Sequence, residues 1–141
     1  MSGSGRIGPP GWRIQSMMRR ARVLIVDDHA GYRGALLDWM TRFSTVDASA
    51  CTSERAALAT LASEKPDLVL VGMGPPALDN YHVVRRLRAQ LSASRIVVMS
   101  LFRVPAADAV LRGAGADAII PKGEVISALP QLLAQLDAPG A

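Results

Sequence analysis

The chain has 141 residues, half of them apolar, and a formal net charge of +4. That length suits one domain with a modest core, and that composition excludes disorder over most of the chain. A single cysteine, Cys51, excludes an internal disulfide and points to a cytoplasmic setting, while no apolar run approaches the ~20 residues that span a bilayer.

The basic charge is local. Residues 1–26 hold Arg6, Arg13, Arg19, Arg20 and Arg22 and no acid, whereas the remainder holds 11 basic and 12 acidic side chains. Residues 1–21, with "GPPG" and no apolar period, are expected to form a disordered basic arm. The arm lacks the apolar stretch of a signal peptide, and Met17 and Met18 offer alternative starts for translation. A folded domain is expected over 22–137, then a short tail over 138–141.

From Arg22 onward, short apolar runs alternate with amphipathic segments. "RVLIVD", "VDASAC", "DLVLVG", "RIVVMS" and "DAIIP" read as strands. Four of these are nearly continuous in apolar residues, as when both faces of a sheet are covered, and "VDASAC" reads as peripheral. In "YRGALLDWMTRF", Leu36, Met40 and Phe43 recur with a helical period beside Leu37. "SERAALATLASEK" puts Ala57, Leu58 and Leu61 on one face. "DNYHVVRRLRAQL" turns Val83, Val84, Leu87 and Leu91 inward and Arg85, Arg86 and Arg88 mostly outward. "PAADAVLRGAG" starts with Pro105 and stops at glycines. In the last helix, Ser127 as N-cap would place Pro130 harmlessly in the first turn. Five such β-α repeats predict an α/β fold, a doubly wound parallel sheet with strand order 2-1-3-4-5. Any site then lies at the carboxyl ends of strands one, three and four.

The residues at those ends carry the chemistry. Asp27 and Asp28 follow "VLIV" directly and make a hard-oxygen pair suited to Mg²⁺. Asp28 is also placed to cap the next helix. Two acids ~4 Å apart repel by about 4 kcal/mol at an effective dielectric of ~20, so a cation is expected nearby. Lys122, ending strand five, is the candidate, with a solvated loop lysine as the alternative. Ser100 ends strand four, where a hydroxyl also serves to satisfy a loop amide. The third strand ends in Gly72, which brings no side chain to the site.

Taken together, "VLIVDDHAGYR", "PDLVLV", "RIVVMS" and "RGAGADAIIPK" resemble the receiver domain of bacterial two-component response regulators, over about Arg22 to Leu136. "VDDH" followed by Arg33 is most similar to receivers that precede helix-turn-helix output domains. The resemblance implies a flavodoxin-like fold and an aspartate, ending strand three, that accepts a phosphoryl group from a histidine kinase. It implies Mg²⁺ held by the acid pair and that aspartate, a lysine and a hydroxyl on the phosphate, and an aromatic on strand five that reports it. Carried over, Asp27 and Asp28 are the acid pair, Ser100 the switch hydroxyl and Lys122 the lysine. The acceptor position falls on Gly72 and the aromatic position on Ile119. Gly123 stands where a proline usually follows the lysine. The departures fall on the parts that receive the phosphate and report it. Asp67, which begins its strand, and Asp79, near the start of the third helix, are poor substitutes for the acceptor.

The expectation is a pseudo-receiver: phosphorylation-independent, without enzymatic activity or a dedicated cofactor, and holding Mg²⁺ weakly at most through Asp27 and Asp28. Lys122 is expected to pair directly with Asp27 or Asp28. With no output domain expected after Leu136, it would act on a protein partner: a histidine kinase, another regulator or a second copy. The expected surface is Val104, Val110, Leu111, Ile119 and Leu132. One alternative is a small-ligand module, with an anion seated beside Lys122 and Ser100 in the room left at Gly72. A cobalamin variant meets Asp27 and His29 but finds Tyr32 where that motif needs glycine. Another alternative is nucleic-acid binding by the arginines and Trp12 of the arm, which the fold does not support.

Overall fold

The computed structural model describes residues 20–74 and 78–136. Strands and helices alternate: β1 (Ala21–Asp27), α1 (Ala30–Met40), β2 (Val46–Cys51), α2 (Glu54–Leu61), β3 (Leu68–Gly72), α3 (Leu78–Gln90), β4 (Arg95–Ser100), α4 (Pro105–Ala114), β5 (Ala118–Pro121) and α5 (Val125–Leu136). A 3-10 turn, Lys122–Glu124, separates the last two. The strands pair in parallel in the order β2-β1-β3-β4-β5, the doubly wound arrangement expected. Of the arm expected over 1–21, residues 1–19 lie outside the described residues, as does the tail after 136. The end of the arm is ordered: Arg20 Nη2 donates to the Val46 carbonyl at 3.1 Å, and Ala21 begins β1 because pairing with β2 extends the strand by one residue.

Alternation along each strand sorts its side chains between two cores. Leu24, Val26, Val69, Val71, Ile96 and Val98 pack with α2, α3 and α4, while Val23, Ile25, Leu68, Leu70, Val97 and Met99 pack with α1 and α5. Both faces are covered, so every residue of β3 is buried and the strand reads as one apolar run. β2, at the edge, instead exposes Asp47 and Ser49. Two helices open on side-chain caps: the Tyr32 N–H donates to His29 Nδ1 at 3.0 Å, and the Ala56 N–H donates to Ser53 Oγ at 3.2 Å. His29, not Asp28, is therefore the cap of α1. α4 starts on Pro105 and stops at Gly115, whose φ of 124° suits glycine.

Two local expectations fail. Arg88 does not turn outward. Its guanidinium donates to the carbonyls of Gly115, Leu91 and Ser94 and pairs with Asp117, tying α3 to the amino ends of β4 and β5. A long arginine can bury its stem and still satisfy its head on carbonyls, which helical periodicity alone does not register. Pro130 is the sixth residue of α5 rather than part of its first turn, because the 3-10 turn lets the helix start at Val125. Ser127 is no cap; its hydroxyl donates back to the Glu124 carbonyl at 2.9 Å. The proline removes the N–H that the Ile126 carbonyl would otherwise accept.

Candidate functional site

The carboxyl ends of β1, β3 and β4 meet the turn after β5. Parallel pairing sets Asp27 beside Gly72 and Ser100 beside Pro121, one residue before Lys122. Asp27 is fully buried. Its Oδ1 accepts the His29 N–H at 2.7 Å, and its backbone carbonyl accepts Arg33 Nη1 at 2.8 Å. Its Oδ2 lies 2.9 Å from Lys122 Nζ, an ion pair without hydrogen-bond geometry. Lys122 is locked in turn. Its ammonium sits 4.6 Å from the centroid of the Tyr32 ring, and its carbonyl accepts the Tyr32 hydroxyl at 2.8 Å. Burial, and then the negative charge of Asp27, push the Tyr32 phenol up from 10.0 to about 12.

The missing side chain at Gly72 is part of this arrangement. A β-carbon built there runs into Asp27 Oδ2 and comes within 3.0 Å of Met99 Cε and 3.1 Å of Lys122 Cε. Only the β-carbon position itself is crowded; beyond it Gly72, Gly74, Ser100 and Lys122 still line an open groove, so the room expected there exists. The expected anion seat is disfavoured within it, because the Lys122 ammonium is paired with Asp27 and sits against the Tyr32 ring. Of the two acids expected as partners for Lys122, the structure selects Asp27. Asp28 is exposed and forms no ion pair or hydrogen bond with the described residues.

Ser100 ends β4 with its Oγ buried and without a hydrogen-bond partner. It opens on a groove of about 780 Å³ walled by Tyr32, Met73, Met99, Leu101, Phe102 and Val104. Asn80, 4% exposed, holds one wall by accepting the Met73 N–H on its Oδ1 at 2.8 Å. Sequence reasoning identified the charged residues and the hydroxyl but gave no role to Tyr32, Met99, Asn80 or Phe102. Tyr32 had a readable signal, lying three residues after the capping His29 and so above the strand end. The others reach the site through tertiary packing.

The expected interaction surface needs correction. Val104 and Val110 are each 47% exposed, but Leu111, Ile119 and Leu132 are 4%, 8% and 7% exposed and belong to the cores. Successive helical residues point ~100° apart, so Leu111 faces inward where Val110 faces out. Ile119 pairs with Val98 and packs with α4, and Leu132 follows Val125 and Leu129 along the inner face of α5. Ile126, 41% exposed, is the large apolar residue of α5 that does reach the surface.

A doubly wound parallel sheet with acids after β1, a hydroxyl ending β4 and a lysine after β5 defines a receiver-type signalling fold. The chain belongs to the response regulator receiver domain family, which it matches over residues 23–134. It is 32% identical over 117 residues to the response regulator MprA of Mycolicibacterium vanbaalenii, covering 83% of this chain and 49% of that protein. It is 30% identical over 118 residues to a protein-glutamate methylesterase/protein-glutamine glutaminase of Nocardioides sp., covering 82% of this chain and 32% of the other. The chain thus spans about a third to a half of the length of these curated relatives. A response regulator from Thermotoga maritima superposes with a TM-score of 0.73 at 20% identity, covering 84% of this chain and 98% of that one, which establishes the shared fold. No described helix is long and apolar enough to cross a membrane.

The divalent cation that such folds hold does not fit the residues present. Gly72 supplies no carboxylate, and Asp27 Oδ2 already faces an ammonium. Among the described residues no group of three or more His, Cys, Asp or Glu side chains could hold a metal ion. Mg²⁺ prefers an octahedron of oxygens and would have to displace Lys122 to reach Asp27.

Proposed function

We propose that this chain is a receiver domain that signals without phosphorylation, by contact with a protein partner in a two-component-type pathway. One observation carries the reading. The third strand offers no acceptor at Gly72, and even the β-carbon of one would be crowded by the Asp27 carboxylate, Met99 and the Lys122 stem. Lys122 then stands in for the cation that would otherwise neutralise Asp27, and no catalytic step is assigned to the chain. Ile119, at the position the family gives to a reporting aromatic, is held in the core by Val98 and α4. Ile lacks the ring that would couple a phosphate to the distal surface.

The surface offered to a partner is the outer side of α4 with the start of α5. Val104 at the start of α4, Val110 on α4 and Ile126 on α5 are exposed apolar side chains of the kind that anchor protein contacts. The partner is proposed as a histidine kinase, another regulator or a second copy of this chain. Incubation with acetyl phosphate and Mg²⁺, followed by intact-mass measurement, tests the first half of the reading. No labile gain of one phosphoryl group is expected, and such a gain would refute it. Pull-down from the native cell tests the second half. Recovery of a signalling partner should fall when Val104 and Val110 are both replaced by Asp.

A further inference from the structure

We propose that the groove at the carboxyl ends of β3 and β4 binds an apolar small molecule that carries a hydroxyl, amine or carbonyl group and no negative charge. The inference rests on the groove alone and stands independently of any protein partner. Its volume of about 780 Å³ suits a drug-sized molecule. Met73 and Met99 line it with thioethers that adapt to varied shapes. Along its lip, Leu101 and Phe102 are 60% and 79% exposed, two large apolar side chains that the fold itself leaves uncovered.

The polar atoms decide the ligand class. Ser100 Oγ is buried with no partner, and a hydroxyl can both donate and accept. A buried polar group left unpaired is costly, and Ser100 lines the groove, so a small turn of its side chain brings the hydroxyl to a ligand group that pairs with it. Charge excludes anions. The Lys122 ammonium is matched by Asp27, which leaves Asp28 as an unpaired carboxylate at the rim. Gly74 lines the groove, and a β-carbon there would meet no atom of the described residues within 4 Å, so a side chain can be added.

Two dyes that share one scaffold test this: neutral N-phenyl-1-naphthylamine and its anionic sulfonate relative, 1-anilinonaphthalene-8-sulfonate. Fluorescence titration of the folded chain should show saturable one-to-one binding of the neutral dye, at least tenfold tighter than the sulfonate. Asp28→Asn should narrow that gap. Gly74→Phe, which fills the groove, should weaken the neutral dye at least fivefold. Phe102→Ser, at an exposed position that places no burden on folding, should do the same. Amide NMR shifts caused by the dye should be confined to residues 72–74 and 100–102. Binding that does not saturate, that is indifferent to both groove variants, or that is equally tight for the sulfonate would overturn the proposal.

Discussion

Lys122 Nζ and Asp27 Oδ2 lie 2.9 Å apart, although their chain segments leave the sheet on either side of β3 and β4. The pair closes over the end of β3 because Gly72 has no β-carbon to stand between them. Burying an ion pair costs desolvation that its attraction barely offsets, so the pair is not a large source of stability. Its importance is the reverse: removing one member strands the other.

Lys122→Met should therefore lower stability by about 3–5 kcal/mol, since Asp27 would be left charged and fully buried. Adding Asp27→Asn to that variant should recover much of the loss, because no buried charge remains. Urea unfolding at constant slope measures both. A loss below ~1 kcal/mol for Lys122→Met would mean that Asp27 finds its neutralisation elsewhere.

Tyr32 gives a pH dependence whose sign is fixed. Its phenol stays protonated in the fold up to about 12, whereas the unfolded chain loses that proton near 10.0. The folded state thus holds the extra proton between those values, and stability declines as pH rises from about 10 to about 12. Below that window the contribution is fully present. Tyr32→Phe should abolish this part of the alkaline decline. Absorbance titration should show one phenolate step near 12 in the wild type that the variant lacks.

The sheet was readable because its central strands are apolar on both faces, and that pattern persists whatever the tertiary detail. Asp27, Asp28, Ser100 and Lys122 were readable because each directly follows or ends an apolar run. What the sequence did not disclose depends on contacts between distant segments. Arg88 looks solvent-facing on a helical wheel until the carbonyls of Leu91, Ser94 and Gly115 surround its head. Leu111, Ile119 and Leu132 look like surface candidates only while the depth of α4 and α5 against the sheet is unknown. That Gly72 lacks an acceptor was plain from the letter alone. That its neighbours crowd even a β-carbon there follows from tertiary packing of Asp27, Met99 and Lys122, which no local pattern records.

Mg²⁺ binding should be weak. Asp28 is the carboxylate available to a cation, and Asp27 must first release Lys122. Calorimetry should show no saturable heat in the millimolar range at neutral pH. Tight, stoichiometric binding would mean that the ion pair opens readily.

Substitutions at Gly72 test the site most directly, because steric and electrostatic effects separate there. Gly72→Ala adds only a β-carbon, which must displace the Asp27 carboxylate or the Lys122 stem. Overpacking of this kind costs about 1–3 kcal/mol, and Mg²⁺ should not relieve it. Gly72→Asp adds the same β-carbon and a third carboxylate facing one lysine, so without metal it should be less stable than Gly72→Ala. With metal the order should change. Three carboxylates make an oxygen site, and a cation that binds only the folded state stabilises it by mass action, by about 2.7 kcal/mol at 100 times its dissociation constant. Melting temperature with and without Mg²⁺ should then rise strongly for Gly72→Asp and hardly at all for Gly72→Ala and wild type. Some phosphorylation by acetyl phosphate should return in Gly72→Asp, since Ser100 and Lys122 remain, without the distal response that Ile119 cannot transmit. Equal stabilisation of all three forms by Mg²⁺ would show that Gly72 does not stand at the mouth of an acidic pocket.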